Sequence, residues 1–324
     1  MKYLITGGAG FIGSHLADAL LARRDAVVIL DNFSTGDARN VAHMVGDPRV
    51  QIQSGSILDD HLVRRLVDHS DAVVHLAAAV GVDLIVSQPL ESLITNIRGT
   101  ETVLDACAEA GRKVLISSTS EIYGKNVDAP LCEDADRILG SPFKSRWSYS
   151  TAKAVDEILA YAYWRERGTH SIVIRLFNCV GPRQTGAYGM VVPRFVQQAI
   201  TGEDVTVYGD GEQRRCFCHV RDAVAALLLL MDNPDTAGHV YNVGSQEEVT
   251  VNELAHLVVE MAGSTSAITH VPYDIAYEEG FEDMMRRVPD VSRIRDLTGW
   301  QPTLTLEQTL ADVIAYERDG LASQ

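Results

Sequence analysis

The stretch Lys2-Tyr3-Leu4-Ile5-Thr6-Gly7-Gly8-Ala9-Gly10-Phe11-Ile12-Gly13 decides the fold of this chain. A short apolar run is followed by glycines in the spacing GxxGxxG and then by a helical pattern. Such glycines permit a tight turn and let backbone amides approach a pyrophosphate, which lies at the positive end of the helix. Asp31 follows the second predicted strand, where a carboxylate accepts hydrogen bonds from a ribose diol and repels a 2′-phosphate. A solvated turn at Asp31-Asn32 is the alternative, but the full order of strand, glycines, helix, strand and acid predicts an NAD site.

The rest of the first half alternates short β-branched runs with longer helical patterns, as a parallel sheet with crossover helices requires. We predict strands at Lys2–Thr6, Ala26–Leu30, Val50–Gln53, Ala72–Leu76, Lys113–Ser117 and Ile172–Leu176. We predict helices near Phe11–Arg23, His61–His69, Glu91–Ala110 and Tyr149–Arg167. After Gly181-Pro182 the pattern loosens, with a strand at Val205–Tyr208 and helices near Pro193–Thr201, Val220–Met231 and Val251–Ala262.

These patterns predict an α/β chain with a Rossmann-type doubly wound parallel sheet and a smaller C-terminal substrate-binding lobe. We expect residues 1–178 to form the NAD-binding domain, with return segments near 217–245. Residues 179–324 would form mainly the substrate-binding lobe.

Composition excludes several classes of partner. The 324 residues carry 28 Lys and Arg against 44 Asp and Glu, a formal net charge of −16, so we expect no nucleic acid partner. The longest apolar run, Ala223–Met231, is too short to cross a bilayer, and the N-terminus lacks a signal-peptide pattern, so we expect a cytoplasmic protein without membrane contact. Five cysteines without a CxxC motif predict reduced thiols, and ten histidines without ligand spacing predict no metal.

A second motif contains the candidate catalytic residues. Tyr149 and Lys153 stand at i and i+4 and share one helical face, where an ammonium lowers the pKa of a phenol and favours phenolate as a base. A helix surface pair is the alternative. Thr119 ends the polar run after a predicted parallel strand, at the edge of the sheet where ligands bind. The three residues together predict a base that acts on a substrate hydroxyl.

At this point the chain resembles the extended short-chain dehydrogenases/reductases of the NAD-dependent nucleotide-sugar epimerase/dehydratase family. The resemblance covers nearly the whole chain, and besides the motifs above it rests on these segments: His75-Leu76-Ala77-Ala78, Asn96-Ile97-Arg98-Gly99-Thr100, Gly181-Pro182-Arg183 and Tyr208-Gly209-Asp210-Gly211. It implies bound NAD, a UDP-sugar substrate and oxidation of the sugar at C4 to a 4-keto intermediate. It also implies a homodimer, because the helices near 91–110 and 149–167 resemble the pair that forms the dimer seam in the family.

The resemblance assigns roles residue by residue. Tyr149 would remove the C4 hydroxyl proton, Lys153 would order the nicotinamide ribose, and Thr119 would orient the hydroxyl, with Ser120 and Glu121 beside it. The implied cofactor-binding residues are Gly7, Gly10, Phe11, Ile12, Gly13, Asp31, Asn32, Ser56, Ile57, Leu76, Ala77, Ala78, Asn96, Tyr149 and Lys153. The implied substrate-binding residues are Asn178, Val192, Arg194, Tyr208, Arg215 and Arg287, with Asn178 and Arg215 on the diphosphate. Ser56 departs from the family, which often has an acid there.

The sequence leaves more than one reaction open after oxidation at C4. The 4,6-dehydratases have an Asp-Glu pair where this chain has Ser120-Glu121, so the acid for dehydration is missing. Ser120-Glu121, the segment Lys144–Tyr149 and Arg287 instead resemble the corresponding residues of UDP-glucuronate decarboxylases. Gly181-Pro182-Arg183-Gln184 resembles uronate 4-epimerases instead, and Arg287 could also pair within the acidic loop 278–283. We predict a UDP-sugar 4-epimerase acting on UDP-glucuronate, with UDP-galacturonate as product, or on UDP-glucose. UDP-glucuronate decarboxylase is the alternative, and a silent NAD-binding regulator is disfavoured because Tyr149, Lys153 and Thr119 are all present.

Overall fold

Short apolar runs form the main sheet of the molecule. The structure is a computed structural model, which describes residues 1–79, 89–144, 146–186, 190–276 and 284–322. The strands of the main sheet are β1 (Lys2–Thr6), β2 (Ala26–Asp31), β3 (Val50–Ser54), β4 (Ala72–His75), β5 (Lys113–Thr119), β6 (Ser171–Leu176) and β11 (Val240–Val243). The described part of the chain forms seven parallel strands in the order β3-β2-β1-β4-β5-β6-β11.

The strands are apolar on both faces because helices cover both sides of the sheet. In β1, Tyr3 and Ile5 pack into one core cluster and Leu4 into another, as the two-residue period of a strand requires. The helices are α1 (Phe11–Ala22), α2 (Asp60–Asp68), α3 (Pro89–Ala110), α4 (Arg146–Arg167), α5 (Val191–Thr201), α6 (Val220–Asp232), α7 (Val251–Met261), α8 (Tyr273–Ala276), α9 (Ser292–Thr298) and α10 (Leu306–Ala322). Shorter 3₁₀ helices lie at Ala38–Met44, Ser120–Tyr123 and Pro234–Thr236.

A third core cluster belongs to the C-terminal part of the chain. It unites side chains of α5, α7 and α10, among them Phe195, Leu254 and Leu310. Small sheets frame it: β7 (Cys179–Val180) with β10 (Cys218–His219), β8 (Val205–Tyr208) with β13 (Ile268–Val271), and β9 (Arg214–Cys216) between β12 (Glu248–Thr250) and β14 (Arg286–Arg287). This lobe lies beside the carboxyl ends of the main strands and closes one side of the cleft described below.

The Rossmann-type doubly wound sheet is confirmed. The predicted strands and helices all occur, with ends displaced by at most three residues. β11, the short strands of the lobe other than β8, and the helices α8, α9 and α10 were not predicted, although Leu306, Leu310, Val313 and Ile314 in α10 are buried at helical spacing. Among the residues that the structure describes, no helix combines the length and apolar character that a membrane crossing needs.

Candidate active site

One large cleft runs along the carboxyl ends of the parallel strands. It has a volume of about 1580 Å³ and is lined from both sides, by the glycine turn and the ends of β2, β4 and β5 and by residues of the lobe. Open α/β sheets bind ligands at this edge, because loops on either side of the strand-order reversal leave a crevice there. The cleft therefore collects most of the residues that the sequence singled out.

The glycine turn closes on itself so tightly that side chains have no room. Gly7 adopts φ 71° and donates to the Leu30 carbonyl over 2.8 Å, while the Gly10 N–H donates to the Gly7 carbonyl over 3.1 Å. A Cβ on Gly13 would lie 2.3 Å from that same Gly7 oxygen. Phe11 and Ile12 begin α1 and line the cleft with the glycines. The start of α1 thus faces the cleft without obstruction, which fits a pyrophosphate.

Asp31 is held as a fixed acceptor. One carboxylate oxygen accepts from the Ala9 N–H over 2.9 Å and the other from the Phe33 N–H over 2.8 Å, and the residue is 7% exposed. Each oxygen keeps a further lone pair for a ribose diol. Asn32 lines the cleft, and its side-chain oxygen accepts from the backbone and the hydroxyl of Ser34. The sequence analysis missed Asn40, which is buried and donates to the Ala9 carbonyl over 3.0 Å, so that it braces the same turn.

The walls of the cofactor end contain five more of the expected residues. Ser56, Ile57, Leu76, Ala77 and Ala78 line the cleft. The Ser56 hydroxyl accepts from the Leu58 N–H over 3.2 Å. The groups at this end of the cleft therefore suit a dinucleotide: backbone amides for the pyrophosphate, a carboxylate for the ribose diol and apolar walls for the rings.

Asn96 corrects an expectation, because it does not line the cleft. It is 1% exposed, and its amide group accepts from the Ala79 N–H over 2.8 Å and donates to the Ala79 carbonyl over 3.2 Å. Both hydrogen-bonding groups of the side chain are therefore used by one backbone unit. Asn96 fixes the segment after β4 rather than offering its amide to a ligand.

Thr119, Ser120, Glu121 and Tyr149 all reach the cleft. Thr119 ends β5 and caps the following 3₁₀ helix, and its hydroxyl oxygen accepts from the Glu121 N–H over 3.2 Å. That bond leaves the Thr119 hydroxyl proton to donate to a substrate. Ser120 is 2% exposed, whereas Tyr149 is partly exposed on the first turns of α4.

The Lys153 ammonium donates to Asp156 over 3.1 Å, and the side chain is 2% exposed. Its expected contact with the nicotinamide ribose stays a prediction. The pKa of Tyr149 is raised, not lowered, first by loss of hydration and then by the negative charges of Glu121 and Asp156. The ammonium pairs with Asp156 because a buried charge needs a counter-charge, and the i+3 position on the same helix supplies one.

Glu121, Arg287 and Asn178 form a cluster on the substrate side of Tyr149. The Arg287 guanidinium donates to the Glu121 carboxylate and to the Asn178 side-chain oxygen, each over 2.9 Å, and the arginine is 7% exposed. The other end of the Asn178 amide donates to the Cys216 carbonyl over 2.9 Å. The three residues come from three distant segments of the chain. The expected alternative for Arg287, an ion pair within 278–283, falls outside the described residues.

Strand pairing brings a second arginine to the same place. β14 runs parallel to β9, and Arg287 stands opposite Arg215 in that register. Arg215 is 8% exposed and also lines the cleft. Two adjacent guanidinium groups suit a diphosphate or a carboxylate, because each offers paired N–H donors. The overall negative charge of the chain makes this local positive charge necessary for any anionic ligand.

The far end of the cleft is aromatic and basic. The Arg194 guanidinium lies 3.9 Å from the centre of the Tyr208 ring and donates to the Thr206 hydroxyl over 3.0 Å. Val192 lines the same wall. The sequence analysis missed Tyr273, whose ring lies against Gly209: a Cβ there would be 2.3 Å from it. The only sequence signal for Tyr273 is an aromatic residue in a polar segment, which is too weak to find it.

Comparisons with known proteins agree with this geometry. The family model described as GDP-mannose 4,6 dehydratase matches residues 4–313. The UDP-N-acetyl-alpha-D-glucosaminuronate decarboxylase of Bacillus cytotoxicus is 40% identical over 319 residues, 98% of each chain. UDP-glucuronic acid decarboxylase 1 of Xenopus tropicalis is 36% identical over 100% of this chain and 73% of its own. A crystal structure of UDP-glucuronic acid 4-epimerase from Bacillus cereus, in complex with UDP-glucuronic acid and NAD, superimposes with a TM-score of 0.88 at 27% identity, covering 98% of this chain and 99% of that one.

Proposed function

This chain belongs to the NAD-dependent nucleotide-sugar epimerase/dehydratase family, and we propose that within it the enzyme is a UDP-hexuronate decarboxylase that yields a UDP-pentose. The observation that carries the proposal is the buried ion pair of Arg287 with Glu121, in contact with Asn178 and inside the cleft. The two decarboxylases named above support it by their similarity over nearly the whole chain. The proposal reverses the order of the sequence analysis, which placed epimerisation first.

NAD is the cofactor, and the residues that would hold it are the glycine turn, Asp31 and the walls at 56–57 and 76–78. The chemistry that NAD supplies when bound is reversible hydride acceptance from C4 of the sugar. We place the uridine diphosphate along Arg215, Arg194 and Tyr208, since these cationic and aromatic groups of the lobe line the cleft, and Arg194 lies over the Tyr208 ring. This arrangement is the basis for proposing 1–178, with the return segments, as cofactor domain and the remainder as substrate lobe.

Each residue near the sugar has a chemical task in the proposal. The Thr119 hydroxyl donates to the C4 oxygen, and Tyr149 takes the C4 hydroxyl proton. The resulting 4-ketone is β to the carboxylate, so the bond between C5 and the carboxyl carbon breaks, CO2 leaves and the electron pair enters an enolate. The Arg287 cation stabilises that negative charge, and Glu121 holds the guanidinium in place. A proton then adds at C5, the ketone is reduced at C4, and Tyr149 returns its proton.

Product analysis tests the proposal directly. The purified protein is incubated separately with UDP-glucuronate, with its 2-acetamido counterpart and with UDP-glucose, and the products are followed by NMR. We expect one CO2 and one UDP-pentose per uronate consumed, and no product from UDP-glucose because it has no carboxylate to lose. UDP-galacturonate or UDP-galactose as main product would overturn the proposal in favour of a 4-epimerase. If the protein retains NAD but converts none of the three substrates, the proposal is overturned in favour of a catalytically silent NAD-binding regulator.

We also propose a homodimer built on α3 and α4. The predicted apolar face of α4 divides in the structure: Ala152 is buried in the subunit, whereas Ile158 is 64% exposed and its neighbour Tyr161 49% exposed. Leu90 at the start of α3 is 70% exposed. Sedimentation velocity is expected to show a dimer at micromolar concentration and a monomer for Ile158→Asp. Leu229→Asp, at an exposed leucine on α6, is the matched control and is expected to stay dimeric.

A further inference from the structure

A chain of buried polar side chains runs from the cofactor wall to the catalytic helix, and the steps above make no use of it. It links Thr6 on β1, His75 on β4, Thr100 on α3, and Asp156 with Lys153 on α4. None of these side chains is more than 2% exposed. Buried polar groups in a hydrophobic interior are costly unless each is satisfied, so their alignment calls for a reason beyond packing.

The hydrogen bonds of this chain have one consistent direction. The Thr6 hydroxyl oxygen accepts from the Ala77 N–H over 3.3 Å, and its own proton points to His75 Nδ1 at 2.7 Å. His75 is neutral, because burial lowers its pKa to about 3, so it carries its proton on Nε2 and donates to the Thr100 hydroxyl over 3.2 Å. Burial raises the pKa of Asp156, and the neighbouring Lys153 ammonium and Thr100 hydroxyl oppose that rise. The chain of polar groups therefore leads to the Asp156 carboxylate.

Asp156 also receives the Lys153 ammonium, over 3.1 Å. Lys153 has no room to swing toward solvent, since both members of the pair are buried. We propose that Asp156 is a positioning residue for the C4 oxidation: it fixes the Lys153 ammonium on the face of α4 that carries Tyr149. This inference rests on the oxidation step of the proposed function, and it holds whether the ketone is then decarboxylated or epimerised.

The charges around this pair fix the direction of the expected effects. Tyr149 is faced by Glu121 from the segment after β5, which Arg287 of β14 neutralises in part, and by Asp156 from its own helix. Asp156 is faced by Lys153 and Glu157 of α4, and Lys153 by the neutral His75 of β4. In Asp156→Asn a negative charge that opposes ionisation of Tyr149 disappears. At the same time the buried Lys153 ammonium loses the carboxylate that holds it in place.

The pH profile of kcat/KM separates a positioning role of Asp156 from a merely structural role. For Asp156→Asn we expect the acid limb of the profile to move to lower pH by about one unit, because a negative charge that raises the pKa of Tyr149 is gone. The matched control is Asp105→Asn, because Asp105 lies on α3 and accepts from the Tyr163 hydroxyl of α4 over 2.5 Å. We expect its acid limb to stay in place. A uniform loss of rate in Asp156→Asn with an unmoved acid limb would overturn the inference.

Binding of NAD provides a readout that needs no turnover. Calorimetric titration of nucleotide-free protein gives the dissociation constant for NAD. In Asp156→Asn we expect this constant to rise about tenfold, because the Lys153 ammonium is no longer held in place. Lys153→Met should bind NAD at least as weakly. An unchanged constant in Asp156→Asn would overturn the inference, whereas absence of UDP-sugar turnover in the wild type would overturn only the proposed function.

Discussion

The two ends of the cleft are built in different ways. At the cofactor end, the glycine turn and Asp31 lie within 25 residues of one another and are joined by backbone hydrogen bonds. At the substrate end, Arg287 contacts Glu121 across 166 positions of sequence and Asn178 across 109. The first end is a local structure that a strand, a turn and a helix produce together. The second end exists only once the lobe has packed on the sheet. Substitutions at the two ends should therefore change different quantities: NAD affinity at the first end and product formation at the second.

The largest effect is expected where the two ends meet. Tyr149→Phe removes the acceptor of the C4 hydroxyl proton, and we expect turnover to fall by about 10³-fold, within the usual range for loss of a general base. NAD binding, measured by calorimetry, should be unchanged, because the phenyl ring remains. A variant that keeps more than a tenth of the wild-type rate would show that another group is the base.

Arg287→Gln tests the substrate end. The change removes the cation that pairs with Glu121 and that would stabilise the proposed enolate, so we expect product formation to fall by about 10²-fold or more. NAD binding should not change. The neighbouring Arg286→Gln is the matched control, since Arg286 is exposed and pairs with Glu248 over 2.5 Å. Equal losses in the two variants would contradict a specific role for Arg287.

Gly13→Ala tests the cofactor end. The added Cβ would lie 2.3 Å from the Gly7 carbonyl oxygen, so the turn must open. Forced overlaps of this kind cost about 1–3 kcal/mol, and we expect NAD affinity to fall by about tenfold or more. Gly320→Ala is the control, because nothing lies within 4 Å of a Cβ there and the residue is helical, so its thermal stability should be equal or slightly higher. Unchanged NAD affinity in Gly13→Ala would show that the turn adapts.

Asp31→Asn gives the smallest expected effect and the finest test of the cofactor end. The amide loses the charge that accepts the ribose diol and repels a 2′-phosphate, so NAD affinity should fall about tenfold while NADP affinity rises. Asp37→Asn, in the same loop but paired with Arg39 over 2.6 Å, is expected to leave the NAD-to-NADP ratio unchanged. A ratio that stays the same in Asp31→Asn would mean that another residue selects the cofactor.

Sequence patterns predicted the cofactor end well because its determinants are local. Gly7, Gly13 and Asp31 are confined by neighbours in the chain, so residue type and spacing are enough to identify the turn. Asn40 and Asn96 show the limit of that reasoning. Both are buried and bind backbone groups far away in sequence, at Ala9 and Ala79, and neither contact has a spacing rule.

The sequence by itself determined a parallel Rossmann-type sheet, NAD as cofactor and the family, because strand periodicity and a glycine turn depend on adjacent residues. Only the tertiary structure decided which charges meet. Lys153 pairs with Asp156, and Arg287 pairs with Glu121 after β14 has aligned with β9. Electrostatic energy depends on distance and burial, which are properties of the packed chain. The charges around Tyr149 and Arg287 were therefore fixed by packing.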